Sequence, residues 1–311
     1  MGRIHGDITT AMGATPLVRL ARIGADLPAE ILAKIEFYNP SGSIKDRSGV
    51  AILDAAAASG TLKPGGTVVE ATSGNSGIAL AAAGAARGYR VILTMPDTMS
   101  VERRQLLRAY GADIVLTDGS LGMHEACMRA RAIAESMPGA VLADQFRNRA
   151  NPEIHYRTTG PEIWEATEGG VDIFVAAVGT GGTISGTGRF LKAQNPKIKV
   201  IAVEPEEAQL LGCGTPGPHR IEGIGTNFMP ETLDRTVFDE VFPVSLADSV
   251  EVGRALGTQE GILAGISSGA TVFATIQLAQ RPENRGKKIV TIVADFGERY
   301  FSTVLHEHYG I

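Results

Sequence analysis

The chain has 311 residues, 44% apolar and 20% charged, with a formal net charge of −5 at neutral pH. That length accommodates two domain-sized units, the acidic balance argues against a nucleic-acid footprint, and no run of 18 apolar residues is present to span a membrane. Glycine is frequent, at 38 residues against a typical share of about 7%; with no collagen period and no Gly/Ser linker, the excess is expected in tight turns and ligand loops.

In chain order, the opening MGRIHGDITT lacks the apolar centre of a signal peptide. A strand is expected at 31–36 and a helix at 45–59, stopped by Gly60. A buried strand follows at 67–72, then a helix at 75–87 ended by Gly88. A strand at 90–95 leads to a helix at 100–110, with Ser100 as N-cap and Gly111 after it. The alternation continues with strand 113–117, helix 122–136 and strand 140–144. Beyond it, strands near 172–178, 199–204 and 288–294 alternate with helices near 183–194, 247–259 and 269–280. Such a pattern predicts an α/β fold in two lobes, each a mostly parallel twisted sheet flanked by helices. QFRNRANP, near 145–152, breaks it and marks a change of lobe. Cys127 and Cys213 form neither a CxxC pair nor a disulfide framework, which fits a reducing cytoplasm. Cys127 lies in an apolar helical pattern and is expected in the core; Cys213 lies in a Gly/Pro loop.

Four short segments carry candidate chemistry. In NPSGSIKDR, Lys45 sits where a turn meets a helix, and the positive end of the helix dipole disfavours its ammonium form, which suits a Schiff-base nucleophile. Most lysines are exposed, so on these grounds alone a surface lysine is the preferred reading. TSGNSG, residues 72–77, follows an apolar strand and opens a helix. Its backbone N–H groups, with the hydroxyls of Thr72, Ser73 and Ser76 and the Asn75 amide, suit a carboxylate or a phosphate; a plain capped turn explains the composition equally well. GTGGTISG, residues 179–186, stands in the same strand-to-helix position and fits a backbone phosphate cradle. Ile184 replaces the third glycine of a dinucleotide fingerprint, and no Gly-Lys-Ser/Thr closes a P-loop. GISSGA, residues 265–270, matches the G-x-S-x-G nucleophile elbow of serine hydrolases with Ser267 as nucleophile, followed in order by Asp295 and by His306 or His308. His306-Glu307-His308 lacks an evident third metal ligand and reads as part of a charged C-terminal helix. No HExxH is present. Trp164 reads as a packing residue, and Glu102, Arg103 and Arg104 as a solvated helix face.

These segments, in this order, resemble those of the cysteine synthase (O-acetylserine sulfhydrylase) family of fold-type II pyridoxal-phosphate enzymes. The similarity starts at ATPLVRL and extends through KPGGTVVEATSGNSGIALA, ARGYRVILTMPDTMSVERRQLLRAYGA, TTGPEIW, EGIG, RPENRGKKI and FGERYFSTVL, nearly the whole length. The resemblance implies a transferase that replaces acetate in O-acetyl-L-serine by sulfide through a cofactor-bound α-aminoacrylate. It implies pyridoxal 5′-phosphate as cofactor, with Lys45 as the lysine that carries it and acts as general base. Asn75 then faces the cofactor's 3′-oxygen; Gly179, Thr180, Gly181, Gly182 and Thr183 hold its phosphate; and Ser267, rather than Ser268, faces its pyridine nitrogen. Thr72, Ser73, Ser76 and Gln145 would hold the substrate carboxylate, and Gly225 lies on a loop lining the site. It further implies an N-terminal lobe at 37–149, with a mobile subdomain at about 90–135, and a phosphate-binding lobe of 12–36 plus 150–311. A homodimer is the family habit, and the C-terminal tail of serine acetyltransferase is a partner of some members. Departures are Gly42 where asparagine is common, Ser76 where many members have threonine, and Thr226 and Asn227 where small residues are usual; they bear on the amino-acid donor. Readings that stay open are cystathionine β-synthase chemistry with homocysteine, a serine hydrolase at Ser267, and a binding partner of the acetyltransferase.

Overall fold

The protein is described here by a computed structural model covering residues 4–72, 74–99 and 101–307. In chain order the elements are β1 (Leu17–Arg19), β2 (Glu30–Ile35), α1 (Lys45–Ala58), β3 (Thr67–Ala71), α2 (Asn75–Arg87), β4 (Arg90–Pro96), α3 (Val101–Ala109), β5 (Asp113–Thr117), α4 (Gly122–Ser136) and β6 (Val141–Leu142). There follow α5 (Ala150–Ile154), a π-helical turn (His155–Thr159), α6 (Gly160–Ala166), β7 (Ile173–Ala177), α7 (Gly182–Gln194), β8 (Lys199–Pro205), β9 (Glu240–Val244), α8 (Leu246–Glu260), α9 (Ile266–Gln280) and β10 (Lys288–Val293). The chain divides into two compact units, one of residues 1–12 and 39–151 and the other of 13–38 and 152–311.

The first unit holds an all-parallel sheet in the order β5-β4-β3-β6. β3 and β4 read as continuous apolar runs because interior parallel strands are covered on both faces: Val68, Val69, Val91, Ile92 and Leu93 are all buried. Helix α2 is apolar around most of its circumference, with Ile78, Ala79, Leu80, Ala81 and Ala83 buried. It stops at Gly88, left-handed at φ 71°, where Tyr89 N–H returns to Gly84 O at 2.9 Å, a helix-ending arrangement that glycine favours.

The second unit holds a six-stranded sheet in the order β1-β2-β10-β7-β8-β9, parallel except for the β1–β2 edge pair. α9 packs on α8 and on β10 and β7. The approach of α8 to α9 is close enough that a Cβ on Gly269 would fall against the Ser249 carbonyl oxygen, so the crossing requires glycine there. Ser245 caps α8 by accepting from Asp248 N–H at 3.1 Å, which offsets one orphan donor of the first turn.

Three stretches depart from the local reading. β1 and β9 are edge strands; β1 is three residues long, and Pro243 within β9 is the kind of residue that edge strands alone tolerate. The 150–166 stretch is helical despite Pro152 and Pro161, because each falls in the opening turn of its helix, where a missing N–H does no harm. α9 begins at Ile266, three residues ahead of the expected start.

Candidate active site

In the first unit, the turn before α1 is tied down by its own side chains. Gly42 N–H closes on Asn39 O at 2.8 Å. Asp46, one residue into the helix, turns its carboxylate back to accept from Ser41 N–H at 3.2 Å and Ser43 N–H at 3.3 Å. Ser43 Oγ accepts from Lys45 N–H at 3.2 Å. Lys45 is thereby the first residue of α1 and is half-buried, beside the fully buried Arg47.

The β3-to-α2 junction gathers polar groups at a second helix N-terminus. Thr72 N–H donates to Thr94 O at 3.0 Å, and Thr72 Oγ1 accepts from Gly74 N–H at 3.2 Å. The N-cap of α2, Gly74, has no side chain to cap the helix, and the positive end of the helix dipole there favours an anion. Asn75 is its first residue. Ser76, its second, donates Oγ–H to Gln145 Oε1 at 2.5 Å. Ser73 lies outside the described residues. Gln145 is buried and follows Asp144, a non-glycine residue in the left-handed region at φ 48°. Its Nε2 donates to Glu70 Oε1 at 3.4 Å. Glu70, on β3, is 4% exposed. Burial, and then the neighbouring Asp144 carboxylate, push its carboxyl up to about 8, against the nearby Asp144 and Gln145 N–H donors that favour the charged form.

In the second unit, β7 delivers the chain to α7 through Gly179–Gly181. Gly181 is the N-cap, at φ 81°, and a Cβ on it would sit 2.7 Å from Leu233 Cβ. The N-cap Gly181 has no side chain to cap α7, and Thr180 Oγ1 accepts weakly from Gly182 N–H at 3.4 Å. The loop is braced from behind: Thr232 Oγ1 donates to Thr180 O at 2.5 Å, Asp234 N–H to Ser185 Oγ at 2.8 Å, and Thr183 Oγ1 lies 3.3 Å from His155 Nε2. Gly225 N–H donates to Val178 O at 2.8 Å, bringing the EGIG loop beside the cradle, and Gly225 O lies 3.0 Å from His219 Nε2. Ser267 is the second residue of α9, buried, with its Oγ 3.9 Å from where a Gly223 Cβ would be. Ser268 Oγ, by contrast, accepts from Ala294 N–H at 3.0 Å.

Other readings fare differently. A nucleophile elbow requires a strand, a strained turn and a helix. Here α8 and Gly261 precede α9, with only an isolated Ala264–Phe296 bridge between, and Ser267 is absent from the residues with positive φ. Asp295 Oδ2 accepts from Tyr300 O–H, and His306 packs edge-on against Phe301. Residues 301–306 form turns and bends and Glu307 begins a helical turn; His308, the rest of the charged C-terminal segment, lies outside the described residues. No group of three His, Cys, Asp or Glu able to hold a metal occurs among the described residues, and no described helix is long and apolar enough to cross a membrane. Cys127 is exposed, correcting its expected place in the core: α4 buries Ala126 and Ala130 instead. Glu70, Asp46, Thr232 and His155 escaped sequence reading. Only Glu70 left a local signal, an acid interrupting the apolar run of a buried strand.

The sequence profile of the family described as "Pyridoxal-phosphate dependent enzyme" matches residues 8–295. Cysteine synthase 3 of Caenorhabditis elegans is 50% identical over 301 residues, 96% of this chain and 89% of its own. A cysteine synthase of Staphylococcus aureus is 47% identical over 96% of each chain. The crystal structure of a cysteine synthase from Entamoeba histolytica superposes with a TM-score of 0.95 at 45% identity, covering 98% of this chain and 91% of that one. An O-ureido-L-serine synthase gives 0.95 at 42% identity, covering 99% and 96%. With a profile spanning most of its length and cysteine synthases aligned almost end to end, the chain belongs to the pyridoxal-phosphate dependent enzymes, among the cysteine synthases.

Proposed function

We propose that this enzyme makes L-cysteine from O-acetyl-L-serine and sulfide, releasing acetate. The observation that carries the reading is 47–50% identity to cysteine synthases over 96% of the chain. The donor is assigned to O-acetylserine because that identity exceeds the 42% shared with the O-ureido-L-serine synthase.

The residues present fit pyridoxal phosphate. The α7 N-terminus, with glycine where a side chain would crowd Leu233, suits a phosphate held by backbone N–H groups. Gly179, Thr180, Gly181, Gly182 and Thr183 would hold that phosphate, the Ser267 hydroxyl would face the pyridine nitrogen, Asn75 the 3′-oxygen, and Lys45 Nζ the aldehyde. When bound, the cofactor supplies an aldehyde for the substrate amine and an electron sink for charge developing at Cα. The α2 N-terminus, Thr72, Ser73, Ser76 and Gln145 bind the substrate carboxylate, and Gly225 lines the site. Lys45 would take the Cα proton at Nζ as acetate departs from Cβ, and return it once sulfide has added. The Ser267 hydroxyl, unlike a carboxylate, would not hold the pyridine nitrogen protonated, which would favour loss and replacement at Cβ over transamination. Residues at about 90–135 close on carboxylate binding and exclude water. The reading extends to lobes at 37–149 and at 12–36 plus 150–311, and to a cytoplasmic homodimer that takes the C-terminal tail of serine acetyltransferase. Sedimentation tests the dimer, and loss of activity on adding the acetyltransferase tests the partner.

The deciding experiment is borohydride reduction of the yellow protein followed by peptide mapping. Modification at Lys45, with no turnover in Lys45→Ala, is the expected result. Wild-type-like cysteine formation by Lys45→Ala overturns the assignment.

A further inference from the structure

Glu70 is out of place by composition. It stands on an interior strand of a parallel sheet, between Val69 and Ala71, and is 4% exposed. At such positions an apolar residue is the stable choice, because burying a carboxyl without full hydrogen bonding is unfavourable. One of its oxygens, Oε2, has no hydrogen-bond partner among the described residues. The other, Oε1, accepts from Gln145 Nε2 at 3.4 Å. The same Gln145 side chain accepts at its other end from Ser76 Oγ at 2.5 Å. An amide in this position has two orientations, related by exchange of its oxygen and nitrogen. Glu70 Oε1, accepting at one end, selects the orientation with the nitrogen toward it, and the Ser76 hydroxyl, able to donate or accept, donates to the oxygen at the other.

We infer that Glu70 is a positioning residue for the amino-acid substrate: by fixing the Gln145 amide, it keeps one Nε2–H directed to the α-carboxylate and holds Ser76 beside it. This rests on the reading that Ser76 and Gln145 bind that carboxylate. Gln145 Nε2 carries two hydrogens, of which Glu70 takes one. Without Glu70 the amide is held at one end only, and both its nitrogen and its oxygen can turn toward the incoming carboxylate; the oxygen repels it. Asp144 serves the same corner from the backbone, since its left-handed conformation sets the direction in which Gln145 leaves the strand. A carboxyl kept neutral by burial and by Asp144 also spares the substrate carboxylate a like charge nearby.

The test is calorimetric titration of the cofactor-loaded protein with L-serine, a substrate analogue without a good leaving group, beside steady-state assays with O-acetylserine. Glu70→Met keeps the volume and removes the acceptor. It is expected to weaken L-serine binding about tenfold and raise KM for O-acetylserine by a similar factor, with kcat within about twofold and cofactor affinity unchanged. Glu70→Gln keeps an acceptor at the same place and should restore binding to within about threefold of the parent. Equal losses in the two variants, or none in either, overturn the inference. If Glu70→Met does not fold, Glu70→Gln combined with Asp144→Asn reports instead, because its double variant should bind L-serine no worse than Asp144→Asn alone; a further loss overturns the inference. Gln145→Ala separates the levels: unchanged L-serine affinity in that variant removes the carboxylate reading itself, whereas a loss there with none in Glu70→Met removes the positioning role alone.

Discussion

Replacing Glu70 by glutamine should flatten the pH dependence of stability by a calculable amount. In the folded protein the Glu70 carboxyl titrates at about 8, against an ordinary value of 4.5. Between those values the native state keeps a proton that the unfolded chain has released. Stability therefore falls as pH rises through this window and is constant with respect to this group outside it. The window is about 3.5 pH units wide. At about 1.4 kcal/mol per unit, the wild type loses on the order of 5 kcal/mol across it. That is a large share of a typical domain's total of about 5–15 kcal/mol. Glutamine fills nearly the same volume and does not titrate. Urea unfolding of both proteins at pH 5, 6, 7 and 8 gives the difference in stability, in which the other titrating groups cancel. The difference should swing steadily in favour of the glutamine variant as pH rises. Asp144→Asn, by removing the second cause of the raised value, should narrow the window and reduce the swing. A difference that stays level from pH 5 to 8 would show that Glu70 is ionised in the folded protein, and the account of its environment would fail.

Other substitutions probe other parts of the fold. Gly181→Ala places a Cβ at φ 81° and against Leu233, at a backbone cost of about 1–2 kcal/mol; absorbance titration should show cofactor affinity reduced tenfold or more. Gly269→Ala drives a methyl into the Ser249 carbonyl at the α8–α9 crossing and should destabilise by roughly 1–3 kcal/mol or more, read as a lower urea midpoint in the second unit. Lys34 is 1% exposed, pairs with Glu162 at 2.6 Å and donates to Thr15 O at 2.5 Å. Lys34→Met removes the buried cation of this pair and should cost about 3–5 kcal/mol; a melting temperature equal to wild type would show the pair to be dispensable.

Much of the architecture was legible because its signals are local. Buried parallel strands announce themselves as apolar runs, as at β3 and β7, and helix ends as glycines, as at Gly88 and Gly111. The four polar segments were visible for the same reason: each sits where an apolar strand or a turn feeds a helix. The start of α9 was hidden because Ile266-Ser267-Ser268-Gly269 has the composition of a loop. It is helical because Gly269 lets α8 pack within backbone contact, which no local pattern records. The burial of His306 against Phe301 was equally invisible locally.

The alternation of the interior strands and helices, the glycine-rich helix starts and the family were legible in the sequence, because each depends on residues near one another in the chain or on similarity along its whole length. Tertiary structure alone decided that β2 lies between β1 and β10, that Ser268 is occupied by Ala294, and that Glu70 stands behind Gln145. Strand pairing, hydrogen-bond partners and the dielectric around a carboxyl are properties of neighbours in space, and those neighbours come from distant parts of the chain.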